Sequence, residues 1–245
     1  AGTQLAGITH LSDVMSPALL ISLVVLALFP WLARWGIGLI KIRRLYAHWT
    51  KPRQFDRNLI VIGAGAAGLV SAYIAAATRA KVTLIENHKM GGDCLNYGCI
   101  PSKALIRTAT FLQQAKNAQS LGIAQTTVQY DFAAVMDRVR RVIKTIEPHD
   151  SVERYSQLGV EVLQGKAKMT SPWSVEVNGQ TLTTRAIVIA TGAQPAVPEI
   201  PGLESVCYYT SDTLWSLTER PERLIVLGGG PIGCELAQAF ARLDC

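Results

Sequence analysis

An apolar run of about 24 residues near the amino end, a Gly-Ala-Gly-Ala-Ala-Gly sequence between a β-rich and a helical stretch, and a second glycine cluster about 165 residues later set the fold class. The chain reads as α/β. A Rossmann-like domain with a parallel sheet and a β-meander comes first, then the start of a second Rossmann-like domain, and a transmembrane helix precedes both.

Taken in order, residues 1–16 read as the end of a preceding membrane domain. Pro17 to Ala33 is apolar apart from Ser22, and after Arg34 the stretch Trp35 to Ile40 is apolar again. A bilayer core needs about 20 helical residues, and Trp31 and Trp35 suit an interface. A transmembrane helix is therefore expected over 17–42. A buried helix of a soluble protein, or two short helices broken at Pro30, is the alternative. The basic linker over 43–57 favours the membrane: Arg34, Lys41, Arg43, Arg44, Lys51, Arg53 and Arg57 stand against Asp56 alone, and nothing comparable precedes the apolar run. By the positive-inside bias, the chain beyond this linker is cytoplasmic. A signal peptide would carry its charges on the other side.

The same charge distribution limits the function classes. The net charge is +6, but from Asn58 onward 17 basic and 16 acidic residues nearly cancel. A nucleic-acid binder would spread basic residues over a folded face. Five cysteines in 245 residues are too sparse for a secreted disulfide scaffold. No CxxC pair occurs and His10, His48, His88 and His149 are scattered, so no metal site is expected. The chain opens on Ala1, and Cys245 falls within an apolar run, so the sequence reads as a fragment.

From Asn58 short β-rich runs alternate with helical ones. Strands are expected over Asn58–Ile62 and Lys81–Glu86, flanking a helix over Ala66–Thr78. Long helices are expected over Lys103–Ser120 and Phe132–Leu158, the latter broken near Pro148. Val160–Leu163, Ser174–Val177 and Ala186–Ile189 read as three short strands, with Asn178-Gly179 as a hairpin turn. A strand over Arg223–Leu227 opens the second unit. The first domain spans 58–200, a connection 201–221, and the second domain begins over 222–245.

In the first glycine cluster, Gly63 allows a tight turn, Gly65 admits a pyrophosphate against the backbone, and Gly68 lets the helix pack on the strand. The helix N-terminus attracts phosphate, and Glu86 at the end of the next strand can accept hydrogen bonds from a ribose. Gly228, Gly230 and Gly233 repeat the device. Two dinucleotide folds imply two dinucleotides, one held tightly and one diffusible. The residue that would choose NAD or NADP lies about 20 residues beyond the second cluster.

Cys94 and Cys99 lie in Gly91-Gly92-Asp93-Cys94-Leu95-Asn96-Tyr97-Gly98-Cys99-Ile100-Pro101-Ser102-Lys103. In one regular helix, residues five apart point about 140° from each other. Gly98 permits an irregular turn that brings them together, and Pro101 suits the first turn of the next helix. A thiol at a helix N-terminus has a lowered pKa.

This segment resembles the redox motif of the class I pyridine nucleotide–disulfide oxidoreductases, the family of dihydrolipoamide dehydrogenase, glutathione reductase and mercuric reductase. The resemblance runs from Asn58 to Cys245. Ala190-Thr191-Gly192-Ala193 resembles a second FAD contact, and Gly165-Lys166-Ala167 a third. The resemblance implies an FAD-binding first domain using Gly63, Gly65, Gly68, Glu86, Gly92, Asp93, Lys103, Ala167, Thr191 and Gly192. It implies an NAD(P)-binding second domain using Gly228, Gly230 and Gly233. Electrons would pass from NAD(P)H through FAD to Cys99, the nearer sulfur, with Cys94 as the interchange thiol for an unknown acceptor. It also implies an ion pair of Lys103 with Glu235 beside the flavin, because either charge buried alone would be costly. A homodimer is expected of the full-length protein. Cys207, Cys234 and Cys245 are expected to be packing residues.

Asp93 departs from the family pattern, where an uncharged residue is usual, and is expected to raise the pKa of Cys94. With Ser102-Lys103 it fits the lipoamide-dehydrogenase-like and mercuric-reductase-like branches. Ala1–Leu11 resembles the end of a SNARE-associated type membrane domain. The alternatives are a flavoprotein that reduces a quinone or metal ion directly and a silent nucleotide-binding membrane adaptor. Loss of turnover on Cys99→Ser separates the first from the disulfide reading, and a yellow protein argues against the second.

Overall fold

The computed structural model describes residues 17–124 and 126–245, and it divides between Pro52 and Arg53 into two compact units. The expected membrane-domain end at 1–16 lies outside the described residues.

The first unit holds α1 (Pro17–Tyr46), a helix of 30 residues. It runs through Pro30 without a break, and Phe29, Trp31, Trp35 and Ile37 are all more than half exposed. The helix passes the expected end at residue 42 and takes in Arg43 and Arg44, which suit the negative end of its dipole. At 1.5 Å per residue it is about 45 Å long, more than a hydrocarbon core requires. Among the described residues it is the one helix long and apolar enough to cross a membrane.

In the second unit, β1 (Arg57–Ile62), α2 (Ala66–Ala77) and β2 (Val82–Glu86) form the expected parallel βαβ unit, with Leu59 opposite Val82. Further along come α3 (Gly92–Asn96), α4 (Cys99–Lys116), α5 (Phe132–Ile146) and α6 (Val152–Gln157). The long helical stretch breaks at a 3₁₀ turn over Glu147–Asp150, as Pro148 predicts. The strands β3 (Val160–Gln164), β4 (Lys168–Ser171), β5 (Ser174–Val177) and β6 (Gln180–Ile189) complete one six-stranded sheet of order β3-β2-β1-β6-β5-β4.

β3 belongs to the parallel part of the sheet, pairing with β2, Val82 opposite Val160. The meander is β4-β5-β6, and β4 had no apolar alternation to reveal it. β6 serves both halves: Gln180–Thr183 pairs antiparallel with β5, and Thr184 and Ala186–Ile189 pair with β1 in parallel. Asn178 and Gly179 have φ of 52° and 75°, which suits the tight hairpin between β5 and β6.

Apolar strand residues divide between the two faces. Val61, Val82, Leu84 and Val160 pack with Leu69 and Ala72 of α2 on one face, and Ile60 and Ile85 pack with Val175, Val177 and Leu182 on the other. A third core joins α4, α5 and α7 (Pro231–Arg242) through Leu105, Met136, Trp215, Phe240 and Leu243. The expected strand over Arg223–Leu227 does not form. Among the described residues no strand lies beside it to supply a ladder, and Ile225 and Leu227 stay exposed at 86% and 63%.

Candidate functional site

The carboxyl ends of β1, β2, β3 and β6 converge, and backbone bonds tie their loops together. Gly63 N donates to Ile85 O at 2.8 Å, Ala190 N to Ile62 O at 2.8 Å, Gly165 N to Glu86 O at 2.8 Å and Gly91 N to Ala64 O at 2.9 Å. The pocket between these loops is lined by Gly63, Gly65, Glu86, Gly92, Asp93, Cys94, Ala167, Thr191 and Gly192 among others. Ligands of open α/β sheets bind at such strand ends.

The glycines have different reasons to be there. Gly63 has φ +100°, and a Cβ on it would lie 2.2 Å from Ala190 O. A Cβ on Gly68 would lie 1.8 Å from Gly63 O, so Gly68 closes helix on loop beneath the pocket rather than lining it. Gly65 is unlike both: its φ is −76°, and the nearest atom to an added Cβ is 3.8 Å away. Among the described residues nothing crowds a side chain at 65. The space over it opens into the pocket, above the first turn of α2, which has neither a side-chain cap nor an acidic residue. That is a cradle for a phosphate.

Glu86 is 7% exposed, and both carboxylate oxygens are held: Oε2 accepts from Ala64 N at 2.6 Å and Oε1 from His88 N at 2.7 Å. Each oxygen keeps a further lone pair for a ribose hydroxyl.

Cys94 sits in α3 and Cys99 opens α4. Tyr97 N and Gly98 N both donate to Asp93 O, at 2.8 and 2.5 Å, which ends α3 and turns the chain. Gly98 meets a need for room, since its φ is −117° and a Cβ would lie 3.1 Å from Asp93 O. The two thiols are free and lie on either side of this turn. The neighbouring Cys99 side chain, then burial, hold the Cys94 thiol above its ordinary range, while the Lys103 charge pulls it down. The rise is in the expected direction, with Cys99 rather than Asp93 as its largest cause. Cys94 lines the pocket and Cys99 is exposed beside it.

The family model described as "Pyridine nucleotide-disulphide oxidoreductase" matches residues 57–245. The chain belongs to this family. It is 38% identical over 189 residues to a mercuric reductase of Bacillus cereus, covering 77% of this chain and 30% of that protein. It is 39% identical over 197 residues to a dihydrolipoyl dehydrogenase of Chlorobaculum parvum, covering 77% and 41%. Among solved structures, a Cu(II) complex of the HOCl-induced flavoprotein disulfide reductase RclA from Escherichia coli superimposes with a TM-score of 0.64 at 32% identity, over 76% of this chain and 39% of that one. The chain thus spans about a third of the length of the mercuric reductases it matches.

Not every expected member of the family site is gathered. Lys103 does not line the pocket, and Lys103 and Glu235 are both exposed with no ion pair between them among the described residues. α7 turns Leu236, Ala239 and Phe240 to the core and leaves Glu235 in water, so neither charge is desolvated and the argument for pairing lapses. Gly228, Gly230 and Gly233 form a separate loop. There a Cβ on Gly233 would lie 2.4 Å from Gly228 O, the counterpart of the closure of Gly68 on Gly63. Cys207 and Cys234 are exposed, contrary to the expected packing role, while Cys245 packs at the edge of the helical core. The structure adds Lys89, Gln194 and Asp212 to the pocket and places Lys166 of the expected third contact there. Asp212 lies in a turn with no periodic signal, about 145 residues from the first glycines, and only the fold brings it near.

Proposed function

We propose that the chain is the flavin and disulfide portion of a membrane-tethered, FAD-dependent NAD(P)H:disulfide oxidoreductase. One observation carries the reading: a cysteine pair on either side of the Gly98 turn, with Cys94 in the wall of a pocket that the first glycine loop also lines. FAD bound there supplies the two-electron relay between a pyridine nucleotide and the thiol pair.

The chain's own residues do the rest. Gly65 and the first turn of α2 receive the pyrophosphate, and Glu86 orients a ribose from a carboxylate already fixed by two N–H groups. Thr191 and Gly192 close the opposite wall. Reducing a Cys94–Cys99 disulfide takes two electrons and two protons and yields the two free thiols of this structure. The family resemblance assigns Cys99, at the head of α4, as the sulfur nearer the flavin ring and Cys94, in the pocket wall, as the interchange thiol that attacks the acceptor. Lys103 stabilises the thiolate of Cys94. Gly228, Gly230 and Gly233 receive NAD or NADP. α1 holds the protein in the membrane with the flavin domain in the cytoplasm, and the full-length enzyme is a homodimer. Similarity to mercuric reductases keeps a metal ion among the candidate acceptors, beside disulfides and quinones.

Anaerobic dithionite titration of the purified yellow chain tests the reading. The wild type should take up two electrons beyond those needed by the flavin, and Cys99→Ser should lose that excess. An equal uptake by both would refute the disulfide role, and a colourless protein that binds no added FAD would refute the cofactor.

A further inference from the structure

We propose that Lys89, held over the ring of Tyr97, is a further positioning residue for the cofactor's phosphates, offsetting the carboxylate of Asp93 on the same pocket wall. This inference rests on the FAD reading above.

The pocket's charges frame the argument. Its titratable lining side chains are Glu86, His88, Lys89, Asp93, Cys94, Tyr97, Lys166 and Asp212. The Glu86 carboxylate is held by two backbone N–H groups. Asp93 has no ion-pair partner among the described residues, and its Oδ2 lies 3.8 Å from where a Cβ on Gly192 would stand, so it faces across the pocket to the β6 loop. A diphosphate entering the cradle meets that negative charge. Two like charges in a partly dehydrated cleft repel unless a cation stands with them.

Lys166 belongs to the turn after β3, on the Glu86 side. Lys89 belongs to the segment that carries Asp93, and this segment is laid directly on the phosphate loop. Gly91 N donates to Ala64 O at 2.9 Å, and a Cβ on Gly92 would come within 2.5 Å of Gly65 Cα. Lys89 Nζ lies 5.5 Å from the centroid of the Tyr97 ring and forms no ion pair among the described residues. Tyr97 is a fixed platform: its N–H donates to Asp93 O at 2.8 Å, and its carbonyl accepts from Trp215 Nε1 at 2.7 Å. A cation over a ring face keeps its N–H donors free, so Lys89 is placed without being used up.

The test is the affinity of the flavin-free full chain for FAD, read by quenching of FAD fluorescence at low and moderate salt, with thermal melting of each variant as the check on folding. Lys89→Met should weaken binding about tenfold at low salt, and the difference should shrink as salt rises. Tyr97→Leu should weaken it in the same direction and Tyr97→Phe should not. Asp93→Thr should tighten binding, and Lys89→Met should cost less in the Asp93→Thr background. Wild-type affinity in Lys89→Met, or an equal loss in both backgrounds, overturns the proposal. Failure of the wild type to bind FAD overturns the cofactor reading itself.

Discussion

Gly65 and Gly68 stand three residues apart in one motif, and alanine should do opposite things at the two. At Gly68 the added Cβ would lie 1.8 Å from Gly63 O. An ordinary contact is about 3.5 Å, so loop and helix must part by roughly 1.7 Å. Both are backbone, with no flexible side chain to yield. Overpacking of this kind costs about 3 kcal/mol. For a unit of this size that lowers Tm by about 6–12 °C. At Gly65 the nearest atom to the added Cβ is 3.8 Å away and φ is −76°, which alanine adopts freely. The melting point should move by no more than about 1 kcal/mol is worth. Gly65 lines the pocket, so on the proposed reading a methyl group there takes space the pyrophosphate would fill, and FAD affinity should fall roughly a hundredfold, about 2.8 kcal/mol. Circular dichroism melts with parallel FAD titrations read both effects. If Gly65→Ala melts as early as Gly68→Ala, or keeps wild-type FAD affinity, this division of labour is wrong.

Three other outcomes are expected. Cys99→Ala removes the largest cause of the raised Cys94 pKa, so Cys94 should carry more thiolate at pH 8 and alkylate faster than in the reduced wild type; an unchanged or slower rate contradicts this. Glu86→Gln can accept from only one of the two N–H groups now bonded to the carboxylate, and the buried donor left over costs about 1–3 kcal/mol. At 2–4 °C per kcal/mol, a Tm loss of about 2–12 °C should appear on melting. Full-length chain should stay in the membrane pellet after alkaline carbonate washing, whereas chain beginning at Arg53 should be soluble; carbonate extraction of the full chain would sink the tether.

The first βαβ unit, the glycine loop and the break between Cys94 and Cys99 were legible because each depends on neighbouring residues. Val-Thr-Leu-Ile after Lys81 favours a buried strand, and Gly63 is needed for a backbone at φ +100°. Pro148 ends a helix wherever the rest of the chain lies. β4 was missed because Lys-Met-Thr-Ser carries no alternation and is held as a strand by β5.

What the residues alone determined, then, is the local conformation and the chemistry present: a membrane-length apolar helix, two glycine-rich loops, and two cysteines on either side of a turn. The tertiary structure decided which of these meet. Tertiary packing brought the β6 loop, the turn after β3 and Asp212 to the walls of the pocket that Gly65 also lines. Side-chain packing left Lys103 and Glu235 in water rather than joined, and Arg223–Leu227 without a ladder. Strand pairing and helix docking act between residues more than a hundred positions apart, and periodicity within a short window carries no information about them.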